Sequence, residues 1–168
     1  MTKGMTKGTA KGDAPTIREL ARNRKARHEY DIEDELECGI ALTGTEVKSL
    51  RQGQCSIAEA YAFYRKGELY LMNATIPEYR QGNVHNHPPT RERKLLAHRR
   101  ELEAWEKRVK ERGVTIVPLA LYFKDSRVKL RLGLGRGKKQ HDKREANRER
   151  TDRREIERAM SHRAHRGE

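Results

Sequence analysis

Apolar residues stand at every second position in Val128, Leu130, Leu132 and Leu134, with Lys129 and Arg131 between them. This alternation predicts a strand with one buried and one basic face. A nearly continuous apolar run, Val114 to Phe123, precedes it across the turn Lys124 to Arg127, so the two segments form a hairpin. Residues 29–42, EYDIEDELECGIAL, place Tyr30, Ile32, Leu36, Ile40 and Leu42 at even positions and read as one long or bent strand, with Gly39 marking a bulge or bend. Between residues 56 and 74, SIAEAYAFY and LYLMN flank the turn RKGE and predict a second hairpin around Gly67.

Two stretches change period. Thr43 and Glu46 form a Thr-x-x-Glu capping box that opens a short helix carrying Val47 and Leu50, closed by Gly53. In RERKLLAHRRELEAWEKRVKERG, Leu95, Leu102 and Val109 recur every seven residues with Trp105 between them, predicting a helix that ends at Gly113, with a break at His98 as an alternative. The order strand, short helix, hairpin, helix, hairpin suits a mainly β fold. A small closed or partly open barrel of the OB type with associated helices fits it, ahead of an α+β sandwich.

The ends of the chain differ from this body. Residues 1–23 contain the near-repeat TKG, TKG, AKG and are expected to be a flexible basic arm, with folded structure beginning near Tyr30 and the body spanning 24–136. Residues 137–168 form a basic tail. From Gln140 onward it holds nine Lys or Arg, seven acids and little apolar surface beyond Ile156, Ala159 and Met160. Such a segment cannot offset its ordering entropy by burial, although its opposite charges three and four apart favour helix once a partner holds it.

Composition sharpens this picture. Of 168 residues only 34% are hydrophobic, and the net charge is +13. The charge is segregated: residues 28–90 carry ten acids against five bases, whereas the flanking segments are basic. A polyanion met on one side, nucleic acid first, fits that distribution. Cys38 and Cys55 make neither a disulfide framework nor a metal set. No apolar run approaches a membrane span and the N-terminus lacks a signal-peptide core, so a cytoplasmic protein without a membrane partner is expected.

Three constellations invite chemistry. The carboxylates Asp31, Glu33, Asp34, Glu35 and Glu37 could hold a metal or move protons, but a run on a strand edge reads as a solvated face. His85-Asn86-His87 could serve a metal-dependent nuclease, yet the following helix offers only His98 as a further ligand, so a loop is the better reading and no metal or cofactor is expected. The third is the basic ladder Arg127, Lys129 and Arg131, extended by Arg136, Lys138 and Lys139 into backbone expected to be flexible. Asp125 is the sole acid between Gly113 and Gln140. Aromatics are 5% and are expected in strand cores, so phosphate and 2′-hydroxyl contacts, rather than base stacking, are the expected mode.

Several stretches together resemble the bacterial SsrA-binding, or small protein B, family: RKARHEY at 24–30, GIALTGTEVKSLRQG at 39–53, RERKLL at 91–96, VPLALYF at 117–123 and VKLRLGLGRGKKQHDKRE at 128–145. The resemblance runs from about Arg24 to Met160. It implies an OB-fold barrel that is not an enzyme, binds transfer-messenger RNA and brings it to stalled ribosomes, where it acts beside elongation factor Tu carrying the alanyl form of that RNA. A monomer is expected. It further implies that the barrel replaces the RNA's missing anticodon arm and that Glu37, Leu96 and Lys129 lie on the RNA-binding surface. By the same resemblance, Gly137, Lys138, Lys139, His141, Asp142, Lys143 and Arg144 lead into the decoding site and small-subunit RNA. Ile156 and Met160 fall in a segment that becomes helical in the empty messenger channel, disordered until then, and the glycines at 133, 135 and 137 act as its hinge. The alternatives from the residues alone are a general RNA-binding or ribosome-associated OB protein and, more distantly, the nuclease.

Overall fold

The computed structural model describes residues 15–81, 86–111 and 113–138. The alternating segment forms β7 (Arg127–Gly137), with Leu130, Leu132 and Leu134 fully buried, paired antiparallel to β6 (Val114–Lys124). Asp125 takes the left-handed backbone of the tight turn between them. On its other side β7 pairs with β2 (Tyr30–Ile40). The predicted hairpin is β3 (Tyr61–Arg65) and β4 (Glu68–Met72), joined by Lys66 and Gly67 at φ 51° and 74°. Two successive positive φ values match the twist of the flanking strands, and glycine accepts the second without strain.

β4 continues to β5 (Arg93–Leu96), β5 to β2, and β3 to β6. Because β7 pairs with both β2 and β6, the ring β2–β5–β4–β3–β6–β7 closes. The expected small barrel is thus present, with antiparallel pairing throughout. Its interior is filled from all six strands, and it is covered by α2 (Gly44–Arg51), through Leu50, and by α3 (Arg99–Val109), through Trp105 and Leu102. The capping box operates as predicted: the Thr43 amide donates to Glu46 Oε2 at 2.9 Å, and Gly53 ends the helix at φ 85°.

The structure corrects three expectations and refines another. The arm does not extend to residue 23, because Ile17–Arg22 forms β1, paired with β6 along the edge that β3 leaves free beyond Ile116. Residues 1–14 lie outside the described residues. Second, Arg93–Leu96 is strand, and α3 begins only after His98, whose amide donates to Glu101 Oε2. The seven-residue spacing misleads because Leu95 on a strand and Leu102 on a helix face the same core.

Third, the acidic run is the exposed face expected of it, but its carboxylates are engaged rather than free. Glu33 and Asp34 bind Arg108, Glu35 binds Arg27, and Glu37 binds Lys124. Fourth, Gly133 and Gly135 are not a hinge but packed strand positions: a Cβ on Gly135 would stand 2.2 Å from the Asp31 carbonyl oxygen, and one on Gly133 would stand 3.1 Å from Ile32 and Leu119. Regular pairing therefore continues to Gly137, and the Lys138 amide still donates to Glu29 O at 2.8 Å.

The continuous apolar run of β6 also has a structural cause. A bulge between Pro118 and Ala120 reverses which face each residue takes. Ile116, Leu121 and Phe123 enter the barrel, while Val117 and Leu119 pack outside it against Ala26 of α1 (Ala26–Glu29), a single helical turn that the hydrophobic pattern does not announce.

Candidate nucleic-acid interface

Register assembles the surface. Gly39 of β2 stands directly opposite Leu96 of β5 on one side and Lys129 of β7 on the other, and Lys129 stands opposite Tyr122 of β6. Directly opposed residues in antiparallel strands project to the same face. The neighbouring row runs Glu37, Arg131, Ala120, Arg22. Residues distant in sequence, Glu37, Leu96, Lys129 and Arg131, therefore share one outer patch. Leu96 is 51% exposed although apolar, and its Cβ and Cδ1 lie 3.4 and 3.8 Å from where a Cβ on Gly39 would stand.

The cations of β7 and its end divide along the strand. The side chains of Arg127 and Lys129, near the β6–β7 turn, make no hydrogen bond or ion pair with any described residue. Arg131 approaches Glu35 at 3.9 Å and lies 5.6 Å over the Tyr122 ring, and Arg136 is held by Glu33 at 3.1 Å and Glu111 at 3.3 Å. Lys138 donates from Nζ to the Arg27 carbonyl at 3.2 Å. The predicted ladder is therefore one of two parts: cations available to a ligand at one end, and cations already engaged at the other.

Glu37 sits between them. Its Oε2 accepts from the Tyr122 hydroxyl at 2.6 Å and its Oε1 from Lys124 Nζ at 3.0 Å. The Tyr122 hydroxyl, with Lys124 and the field of Lys129, holds the Glu37 carboxyl below its usual range against an opposing effect of burial. Burial and the Glu37 carboxylate push the Tyr122 hydroxyl up to about 12. Glu37 is therefore an ionised acceptor at neutral pH, with lone pairs left for a donor on a base or ribose.

The motifs GTEVKSLR and RERKLL meet inside the molecule. Arg93 is completely buried and Glu46 nearly so. Arg93 Nε and Arg91 Nε each donate to Glu46 Oε1 at 2.9 Å, and Arg91 Nη2 donates to Oε2 at 2.6 Å. Arg93 also donates to the carbonyls of Ala74, Arg91 and Pro89. This cluster ties α2 to β5, with the Glu46 carboxylate and Arg93 buried and Arg91 at the solvent boundary.

In the loop, Asn86 is bound to the backbone of Tyr79 through both ends of its amide, a brace rather than a ligand; His85 lies outside the described residues. Among the described residues no group of three His, Cys, Asp or Glu is placed to hold a metal. Gly137 ends β7 in open space. Lys139, His141, Asp142, Lys143, Arg144, Ile156 and Met160 all lie outside the described residues. Sequence reasoning missed Tyr122 and Lys124 as the partners of Glu37. It also missed that Tyr61, Phe63 and Tyr70 lie on the outer side of the β3–β4 hairpin, where the aromatics of YAFYR at every second position were the available signal.

The model of the SmpB protein family matches residues 20–162. The SsrA-binding protein of Kineococcus radiotolerans is 57% identical over 144 residues, covering 86% of this chain and 92% of that protein. That of Leifsonia xyli is 52% identical over 149 residues, covering 89% and 94%. Among solved structures, a chain described under "tmRNA-SmpB: a journey to the center of the bacterial ribosome" matches at a TM-score of 0.60 and 46% identity, over 76% of this chain and 93% of that one.

Proposed function

This chain belongs to the SmpB protein family, and on that premise we propose that it binds transfer-messenger RNA and delivers it to stalled ribosomes for trans-translation, peptide tagging and ribosome rescue. At the level of residues, one observation carries the reading: the Lys129 side chain has no hydrogen-bond or ion-pair partner among the described residues and stands beside an exposed Leu96 and an ionised Glu37 on the sheet. An unpaired cation meets phosphate, an apolar side chain meets a sugar or base face, and a carboxylate accepts from a base or ribose. Arg127 extends the phosphate contacts directly. Arg131, Arg136, Lys138 and Lys139 contribute as their acidic or carbonyl partners are exchanged for phosphate.

The division of labour follows the chain. The body from β1 to β7 holds the RNA in place of an anticodon arm. The tail from Gly137 onward, with His141, Asp142, Lys143 and Arg144, enters the decoding centre of the small subunit. Ile156 and Met160 supply the apolar side chains that the tail offers to the empty messenger channel. The protein works as a cytoplasmic monomer alongside elongation factor Tu, by binding rather than by bond chemistry.

The test separates body from tail. Full-length protein should prefer transfer-messenger RNA over ordinary tRNA in filter binding. A chain ending at Gln140 should retain near-normal affinity for that RNA yet fail to support peptide tagging on stalled ribosomes. Equal affinity for the two RNAs would reduce the protein to a general RNA binder, and tagging by the truncated chain would remove the tail from the mechanism.

A further inference from the structure

β7 carries its core face past the end of the core. Leu130, Leu132 and Leu134 are buried at every second position, and the next residue on that side is the exposed Arg136. Two carboxylates from other elements meet it there. Its Nε donates to Glu33 Oε1 at 3.1 Å and its Nη2 to Glu111 Oε2 at 3.3 Å, so one guanidinium spans β2 and the segment just after α3. Glu33 is the residue skipped where the β2–β7 register shifts between Ile32 and Asp34, and such a bulge re-aims the side chain it carries.

The cluster continues into α3. Glu33 Oε2 accepts from Arg108 Nη2 at 2.7 Å, Arg108 Nη1 donates to Asp34 Oδ2 at 3.1 Å, and the Trp105 indole donates to the same oxygen at 3.2 Å. Just past the strand the chain is held again, this time by α1. The Lys138 amide donates to Glu29 O at 2.8 Å and its Nζ to the Arg27 carbonyl at 3.2 Å, while Gly137 between the two holds stands in open space.

We propose that Glu33, Arg136 and Glu111 form a clamp that fixes the root of the tail, the two carboxylates being positioning residues for the tail's work on the ribosome. It rests on the function proposed above in taking the tail as the part that meets the ribosome. Of the cations assigned there to exchange with phosphate, Arg136 is the one that would give up two carboxylates. The clamp is not what keeps the barrel folded. Arg136 and Glu111 are both more than half exposed, and exposed pairs of this kind favour the paired arrangement by only about 1.5- to 5-fold each. A bias of that size acts locally: it sets how the last rungs of β7 are oriented where the chain leaves the body. An angular error at that point grows with distance along whatever follows it, so a weak clamp at the root has its largest effect at the far end of the tail.

The test uses full-length protein and the variant Glu33→Gln/Glu111→Gln, which removes both charges and keeps both shapes; circular dichroism with thermal melting verifies its fold. By NMR-detected hydrogen exchange the Lys138 amide should open about 2- to 25-fold more readily, the product of the two pair biases, while the amides of Leu130 and Leu132 stay as protected as in wild type. Affinity for transfer-messenger RNA should stay at or above that of wild type, since freeing Arg136 removes no phosphate contact. Peptide tagging on stalled ribosomes should nevertheless fall several-fold. A second variant, Arg136→Lys, keeps a charge that suffices for a phosphate but cannot span two carboxylates with a planar fork, and it should lose tagging as the glutamine pair does.

The clamp is refuted if the glutamine pair leaves Lys138 exchange unchanged, or if either variant supports tagging as wild type does. A parallel loss of transfer-messenger RNA affinity in the glutamine pair also refutes it, because the carboxylates would then act through the RNA. Failure of wild type to support tagging sinks the proposed function instead, and Lys138 exchange still decides whether the clamp holds the root.

Discussion

Glu46 and Glu37 are both carboxylates held by cations and hydrogen-bond donors below their usual pKa, yet they serve opposite ends. At Glu46 the surroundings are closed: Arg91 and Arg93 saturate it, and Arg93 spends its remaining donors on three carbonyls. At Glu37 they are open: Tyr122 and Lys124 hold one side while the side chains of Lys129 and Arg127, close by, have no hydrogen-bond or ion-pair partner among the described residues. Residue types alone do not separate a structural ion cluster from a binding surface. The number of unused donors at the solvent boundary does.

The largest effect expected from breaking this comparison is at the closed site. Arg93→Ala leaves Glu46 charged and desolvated and should cost about 3–5 kcal/mol in urea unfolding. Arg93→Lys should recover little, because an ammonium cannot reach the Glu46 carboxylate and the carbonyls of Ala74 and Pro89 in the guanidinium's planar geometry. RNA affinity of the folded fraction should stay unchanged in both.

At the open site the signs reverse. Lys129→Ala should leave stability within about 0.5 kcal/mol while weakening RNA binding and lowering the slope of log affinity against log salt by about 0.7 to 0.9. A normal slope in filter binding across several salt concentrations would show that Lys129 meets no phosphate.

Acid titration compares the two carboxylates in one molecule. Burial raises the Glu46 pKa, but Arg91, the Thr43 amide and Arg93 lower it more, so the net displacement is downward. A folded pKa below the unfolded one contributes stability that is present above the unfolded value and is lost as pH falls through the folded value. Unfolding free energy should therefore decline below about pH 4.5, and Glu46→Gln should flatten that decline while lowering stability at neutral pH. Glu37 follows the same sign with smaller weight, since solvent screens it.

The smallest effect tests the hydroxyl that positions Glu37. Tyr122→Phe removes the 2.6 Å hydrogen bond, so the Glu37 carboxyl should titrate at higher pH in carbon-detected NMR, with a stability loss of about 1 kcal/mol or less. An unmoved titration would mean that Lys124 alone holds the carboxylate.

Local signals were legible wherever one short segment contained all of its own reasons. The alternation in Val128–Leu134, the capping box at Thr43 and Glu46, and the hairpin around Gly67 each appear where the residues ask for them. β5 was not legible, because Arg93–Leu96 sits in a charged, helix-favouring run and becomes strand only through pairing with β2 and β4. The RNA-surface residues Glu37, Leu96 and Lys129 came from motif resemblance, and only register shows that they adjoin.

By itself the sequence determined the mainly β class, the basic flanks and the membership in a family, because period, charge and motif are properties of neighbouring residues. Tertiary structure decided which charges are free. Glu46 finds Arg93 across 47 positions, and Arg136 finds Glu33 across 103. Gly135, which reads as a flexible link, is required because a neighbouring strand passes where a Cβ would stand. Burial and pairing across a closed ring are set by distances between segments, and no window along the chain contains them.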